Sequence, residues 1–204
     1  MTINIKEIFT KAYLKEYIFR NRNLFLISLI IFVVSAIVGV FISDLIREFM
    51  IEIFNQLIGN LPPNSSVADE AIFLFTNNIR ANILILLGGF VFSIFSIFSI
   101  ILNGIVLGFT YTLVNPLQFF VGIAPHGIFE LTATIMSLMG AFIITKLEIN
   151  LIDALFKHEF REELHNSSLL IKDIILTFII TSILLVVAAI IEAGITPILL
   201  SMVS

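Results

Sequence analysis

His126 and Glu130 stand four residues apart, so any helix that contains both carries them on one face. An imidazole and a carboxylate at that spacing can relay a proton, act as general acid and base, or supply two ligands to a metal. Two ligands do not complete a zinc site, which takes three or four. Both groups sit at the start of a run that is almost uniformly apolar from Gly127 to Leu147. Ionisable groups at a membrane boundary are costly and need partners. Glu192 is a second isolated acid, with no opposite charge near it in sequence. Arg80, Asn77, Asn78 and Asn103 are the other polar residues beside or inside apolar runs. Together these seven residues are the candidate functional cluster. A structural role leads, ahead of a transport or relay role, with catalysis third. No His-Glu-x-x-His, Gly-x-Ser-x-Gly or phosphate-binding loop occurs. No catalytic residue, metal ligand set or cofactor is therefore assigned, and the chain is expected not to be an enzyme, with an intramembrane hydrolase as the minor alternative.

Positioning such groups falls to membrane-spanning helices. Of 204 residues, 59% are hydrophobic and only 13% charged, and mean hydropathy is +1.11. Soluble domains are about half apolar and a quarter charged. The fold expected is all-α, a single polytopic bundle of about five spans, one of them broken or re-entrant. The absence of Cys excludes disulfides and thiolate chemistry, and the net charge of −4 argues against nucleic acid as a partner.

In chain order, residues 1–23 form an amphipathic segment suited to the membrane surface. The first span runs from Leu24 to about Ile42, the length a bilayer needs. Residues 44–80 are expected to form an extramembrane helical hairpin, with a stop at Gly59-Asn60 and a turn at Leu61-Pro62-Pro63. Ser66 with Asp69 or Glu70 reads as the cap of its second helix. The second span covers about Ala81 to Leu102, with Ser93, Ser96 and Ser99 read as a helix-packing stripe. Asn103-Gly104 interrupts the apolar pattern. Residues 81–114 are either one very long helix or turn there and cross again, with Asn115-Pro116 in the broken segment. Pro125 suits a helix start. The fourth span follows from Gly127 to Leu147, then a surface amphipathic helix over 148–168, then a last span from about Asp173 to Ala193.

Basic residues cluster in 1–23 (Lys6, Lys11, Lys15, Arg20, Arg22) and in 146–172 (Lys146, Lys157, Arg161, Lys172). The positive-inside rule puts both in the cytoplasm, which five spans satisfy with the C-terminus outside the cell membrane. His126, Glu192 and the hairpin base then share the outer side. Excess Phe, Ile and Leu on the hairpin predicts a homo-oligomer or a larger complex.

Four stretches carry a family resemblance: Asn77-Asn78-Ile79-Arg80, Asn103-Gly104 with Gly108, Pro125-His126-Gly127-Ile128-Phe129-Glu130-Leu131, and Ile191-Glu192-Ala193-Gly194-Ile195-Thr196-Pro197. In this order, over about residues 70–200, the chain resembles the stage II sporulation protein M (SpoIIM) family of integral membrane proteins. The resemblance implies a polytopic helical protein. It also implies a scaffold or assembly role, because sporulating members act in engulfment in a membrane complex with cell-wall hydrolases. It offers no catalytic residues to carry over. Partners expected are the lipid bilayer, further copies of the chain and other membrane or cell-envelope proteins. The alternative is a small transporter or channel with a polar path lined by His126, Glu130 and Glu192.

Overall fold

Backbone in hydrocarbon must satisfy its own hydrogen bonds, so long apolar runs become helices. The computed structural model describes residues 5–59 and 66–203. After a short 3-10 turn, the helices are α1 (Lys11–Phe41), α2 (Ser43–Gly59), α3 (Val67–Leu87), α4 (Ile94–Leu113), α5 (Pro116–Phe156), α6 (Phe160–Asn166), α7 (Ser168–Gly194) and α8 (Thr196–Ser201). Five of these helical segments are long and apolar enough to cross a membrane: α1, α3, α4, α5, and α7 together with α8. The protein is an all-α membrane protein.

Two helix pairs make the bundle. Helices α5 and α7 are antiparallel: Thr196, which opens α8 just past the end of α7, meets His126, and Thr177 of α7 meets Gly140 further along. Helix α3 packs on both. Helices α1 and α4 are parallel: Gly104 lies on Phe32 and Ser35, and Gly108 on Ala36 and Val40. Those glycines bring the two backbones into contact. Phe32, Ile85, Ile100, Ile135 and Leu138 join α1, α3, α4 and α5 in one core cluster.

Several boundaries differ from the sequence reading, each for a physical reason. The chain turns at Gly88–Ser93, not at Asn103-Gly104. Phe92 and Ser93 adopt left-handed backbone (φ 50° and 57°), a conformation that costs non-glycine residues about 1–3 kcal/mol each. Thr145 holds this turn. Its hydroxyl donates to the Gly89 carbonyl at 2.8 Å, and the Ser93 hydroxyl bonds Thr145 at 2.7 Å. Gly89 lies so close to the Ala141 carbonyl that a side chain would not fit. Asn103 instead satisfies itself within α4, donating to the Ser99 carbonyl at 2.8 Å.

Residues 11–23 continue straight into the first span and are not a separate surface helix. Asn115 caps α5, accepting from the Gln118 amide at 2.9 Å, with Pro116 in the first turn. Helix α5 then runs through Pro125 as far as Phe156, so part of the expected 148–168 surface helix belongs to it. His158, at φ 59°, ends that run before the short α6. Ser66 caps α3 in a reciprocal pairing with Asp69. From there α3 runs unbroken to Leu87, so residues 67–80, expected as the second arm of an extramembrane hairpin, are continuous with the candidate spanning helix. The turn at Leu61-Pro62-Pro63 lies outside the described residues.

Candidate functional site

Two polar clusters sit towards opposite ends of α7. Asp173 and Glu192 are nineteen residues apart, about 28 Å along a helix, close to the roughly 30 Å of a hydrocarbon core.

At the Glu192 end, His126 and Glu130 project from one face of α5, and α7 brings Glu192 against them. One ring nitrogen of His126 and one carboxylate oxygen from each glutamate lie within 4.8 Å of one another. His126 is 9% exposed. Its Nδ1 lies 3.2 Å from the Thr196 hydroxyl, which itself donates to the Ile191 carbonyl at 3.3 Å. Oε2 of Glu192 is buried and has no hydrogen-bond partner among the described residues. Two acids this close, with one oxygen unsatisfied, suit a shared proton or a bound cation.

At the other end, Asp173 has no exposed surface. Arg20 grips it with two bonds, Nε to Oδ2 at 2.8 Å and Nη2 to Oδ1 at 2.6 Å. The Tyr13 hydroxyl donates to Oδ1 at 2.7 Å and the Asn21 amide to Oδ2 at 2.8 Å. Both oxygens therefore accept twice. Beside them, the Tyr17 hydroxyl bonds Thr177 at 2.7 Å, and Thr177 donates back to the Asp173 carbonyl at 2.8 Å. This network pins α1 to α7. No single residue of it stood out in sequence. The available signal was a lone acid opening the last apolar run, with Arg20 and Asn21 just before the first.

The remaining candidates lie elsewhere. Asn77 and Arg80 are exposed on α3, and Asn103 is exposed on α4. Asn78 contributes its carbonyl, which accepts from Asn82 at 2.9 Å. Asn82, one turn further on and absent from the candidate set, is buried and accepts from Ser137 of α5 at 2.8 Å.

A family model described as SpoIIM, stage II sporulation protein M, matches residues 28–197. An uncharacterized protein of Methanocaldococcus jannaschii is 35% identical over 130 residues, covering 61% of this chain and 69% of that protein. A second uncharacterized protein of the same organism is 26% identical over 200 residues, covering 94% of this chain and 90% of its own length. No solved structure matches the chain.

Proposed function

The chain belongs to the stage II sporulation protein M family, and on that premise we propose that it is a membrane scaffold or assembly factor that works as a self-associated complex in the cell envelope. The observation that carries this reading is Arg80. It is exposed thirteen residues into α3, about 20 Å from the start of a spanning helix. Among the described residues it has no acidic partner. A lone arginine inside a bilayer costs about 2.5–3.5 kcal/mol on insertion scales. Asn77, Arg80 and Leu84 form one exposed stripe on α3. A second copy packed by two-fold symmetry would give each Arg80 the Asn77 side chain of its neighbour.

The interior supports the same reading. Its small and polar residues are used in helix contacts: Ser96 bonds the Ile85 carbonyl at 2.6 Å, Ser137 bonds Asn82, and Ser93 bonds Thr145. A groove of about 410 Å³ between α1, α4 and α5 is lined by apolar side chains such as Phe32, Leu107, Ile123 and Leu131. A transport path would need polar groups along its length.

Arg80→Leu is expected to weaken self-association about tenfold, roughly 1.4 kcal/mol, as measured by dilution in lipid discs. Leu84→Cys should crosslink to a second copy in native membranes. Unchanged association in Arg80→Leu, with no crosslink at Leu84→Cys, would sink the self-association. Crosslinking to a different protein would replace the second copy by that partner.

The same reading puts the N-terminus in the cytoplasm and the C-terminus outside. Because the chain has no Cys, cysteines introduced at Pro62 and Phe160 report topology directly. Expected is external labelling at Pro62 and protection at Phe160 in intact cells. External labelling at Phe160 would reverse the orientation.

A further inference from the structure

We propose that His126, Glu130 and Glu192 form a site for one divalent transition-metal ion, joining α5 to the end of α7. This inference does not depend on the scaffold reading, and its test does not bear on it.

Sequence spacing supplies two of the ligands, and the antiparallel packing of α5 on α7 supplies the third. The three donors lie within 4.8 Å of one another. In a tetrahedral site with bonds of about 2.1 Å, donors sit roughly 3.4 Å apart, so closing around an ion takes about an ångström of side-chain rotation.

Two independent features point to a cation and not to mere crowding. The first is the unsatisfied oxygen. Oε2 of Glu192 is buried with no hydrogen-bond partner, and among the described residues neither glutamate makes a salt bridge. The second is a hydrogen-bond partner that holds the histidine. The Thr196 hydroxyl lies 3.2 Å from His126 Nδ1 and 3.3 Å from the Ile191 carbonyl. With its hydrogen on that carbonyl, Thr196 accepts from Nδ1, and the Nε2 lone pair is free for an ion. Metal-ligating histidines characteristically give their other N–H to an oxygen in this way. Thr196 thus orients the ligand without touching the ion.

One imidazole nitrogen and two carboxylate oxygens suit zinc, manganese or iron(II), whereas calcium and magnesium favour all-oxygen sets. Three protein ligands leave a fourth position for water.

The test uses the full chain in detergent, stripped with a chelator and titrated with Zn²⁺ by calorimetry. Expected is one Zn²⁺ per chain with micromolar or tighter affinity, and a rise in unfolding temperature on binding. Glu192→Gln should weaken binding at least about tenfold, and Thr196→Val about 10–100-fold, the range for loss of an outer hydrogen-bond partner. Cobalt keeps the proposal testable if a variant misfolds: Co²⁺ bound to the unaltered chain should show visible d–d absorption that one equivalent of Zn²⁺ abolishes. The proposal is overturned if the unaltered chain binds no stoichiometric Zn²⁺ and shows no Co²⁺ absorption, which would leave two glutamates sharing a proton. It is equally overturned if folded Glu192→Gln and Thr196→Val bind as tightly as the unaltered chain, which would mean an adventitious ion only.

Discussion

Asp173→Ala is expected to lose most of the folded protein. The substitution leaves the Arg20 guanidinium and the Tyr13 hydroxyl without their acceptor, and takes from the Asn21 amide one of its two, the Tyr17 carbonyl remaining. Removing one partner of a buried ion pair costs about 3–5 kcal/mol, because the other charge stays behind. Asp173 is fully buried, but a quarter of the Arg20 side chain is exposed, so water recovers part of the loss and the lower end of that range applies. That is still a large share of the roughly 5–15 kcal/mol that holds a protein folded. Asp173→Asn should do nearly as much damage, since an amide cannot accept four hydrogen bonds. Removing both charges in an Arg20→Leu, Asp173→Leu double variant should restore much of the stability, as replaced buried pairs often do. Thermal unfolding in detergent reads all three. An Asp173→Ala protein with an unaltered melting temperature would show that the network contributes nothing to folding.

Gly108→Val is expected to do comparable damage by a different route. A Cβ at Gly108 would overlap the Ala36 carbonyl oxygen, and one at Gly39 would overlap that of Ile105. These neighbours are backbone atoms of α1 and α4 and cannot swing aside. Overpacking ordinarily costs about 1–3 kcal/mol. Here the two helices must also part, opening the cluster around Phe32 and Ile100, so about 3 kcal/mol or more is expected. Gly122→Ala is the matched control. Its new methyl would meet only the Leu200 side chain, at 3.3 Å, which can rotate away, so the change should stay within about 0.5 kcal/mol. A Gly108→Val protein as stable as the Gly122→Ala control would remove the case for backbone contact between α1 and α4.

The spans themselves were legible, because a hydrocarbon solvent leaves few options. Runs such as Leu24–Ile42 and Gly127–Leu147 are too apolar and too long for anything but a helix across the bilayer. What misled was punctuation. Asn103-Gly104 and Pro125 read as breaks by rules learned in water. Inside a bundle the asparagine bonds its own helix, the glycine is a contact point for α1, and the proline is carried within α5. The real turn at Gly88–Ser93 is fixed by Thr145, more than fifty residues away, and two of its residues are not types that favour left-handed backbone. The candidate site divides the same way. His126 and Glu130 were visible as a local pair because helical spacing is local. Glu192 joins them through the register of α5 on α7, and Asp173 joins Arg20 through contacts about 150 residues apart, which no local pattern encodes.

The parallel contact between α1 and α4 also governs the order in which the chain can be built. Gly39 meets Ile105, sixty-six residues later in the chain. At about 5–20 residues per second of synthesis, α1 reaches the membrane roughly 3–13 s before the helix that covers it. During that interval its small-residue groove, from Ser35 to Gly39, faces lipid or whatever insertion machinery holds it. A nascent chain arrested just before residue 94 should therefore leave α1 free to pair with other helices. One arrested only once α4, which ends at Leu113, has cleared the ribosome should have α1 already occupied by α4.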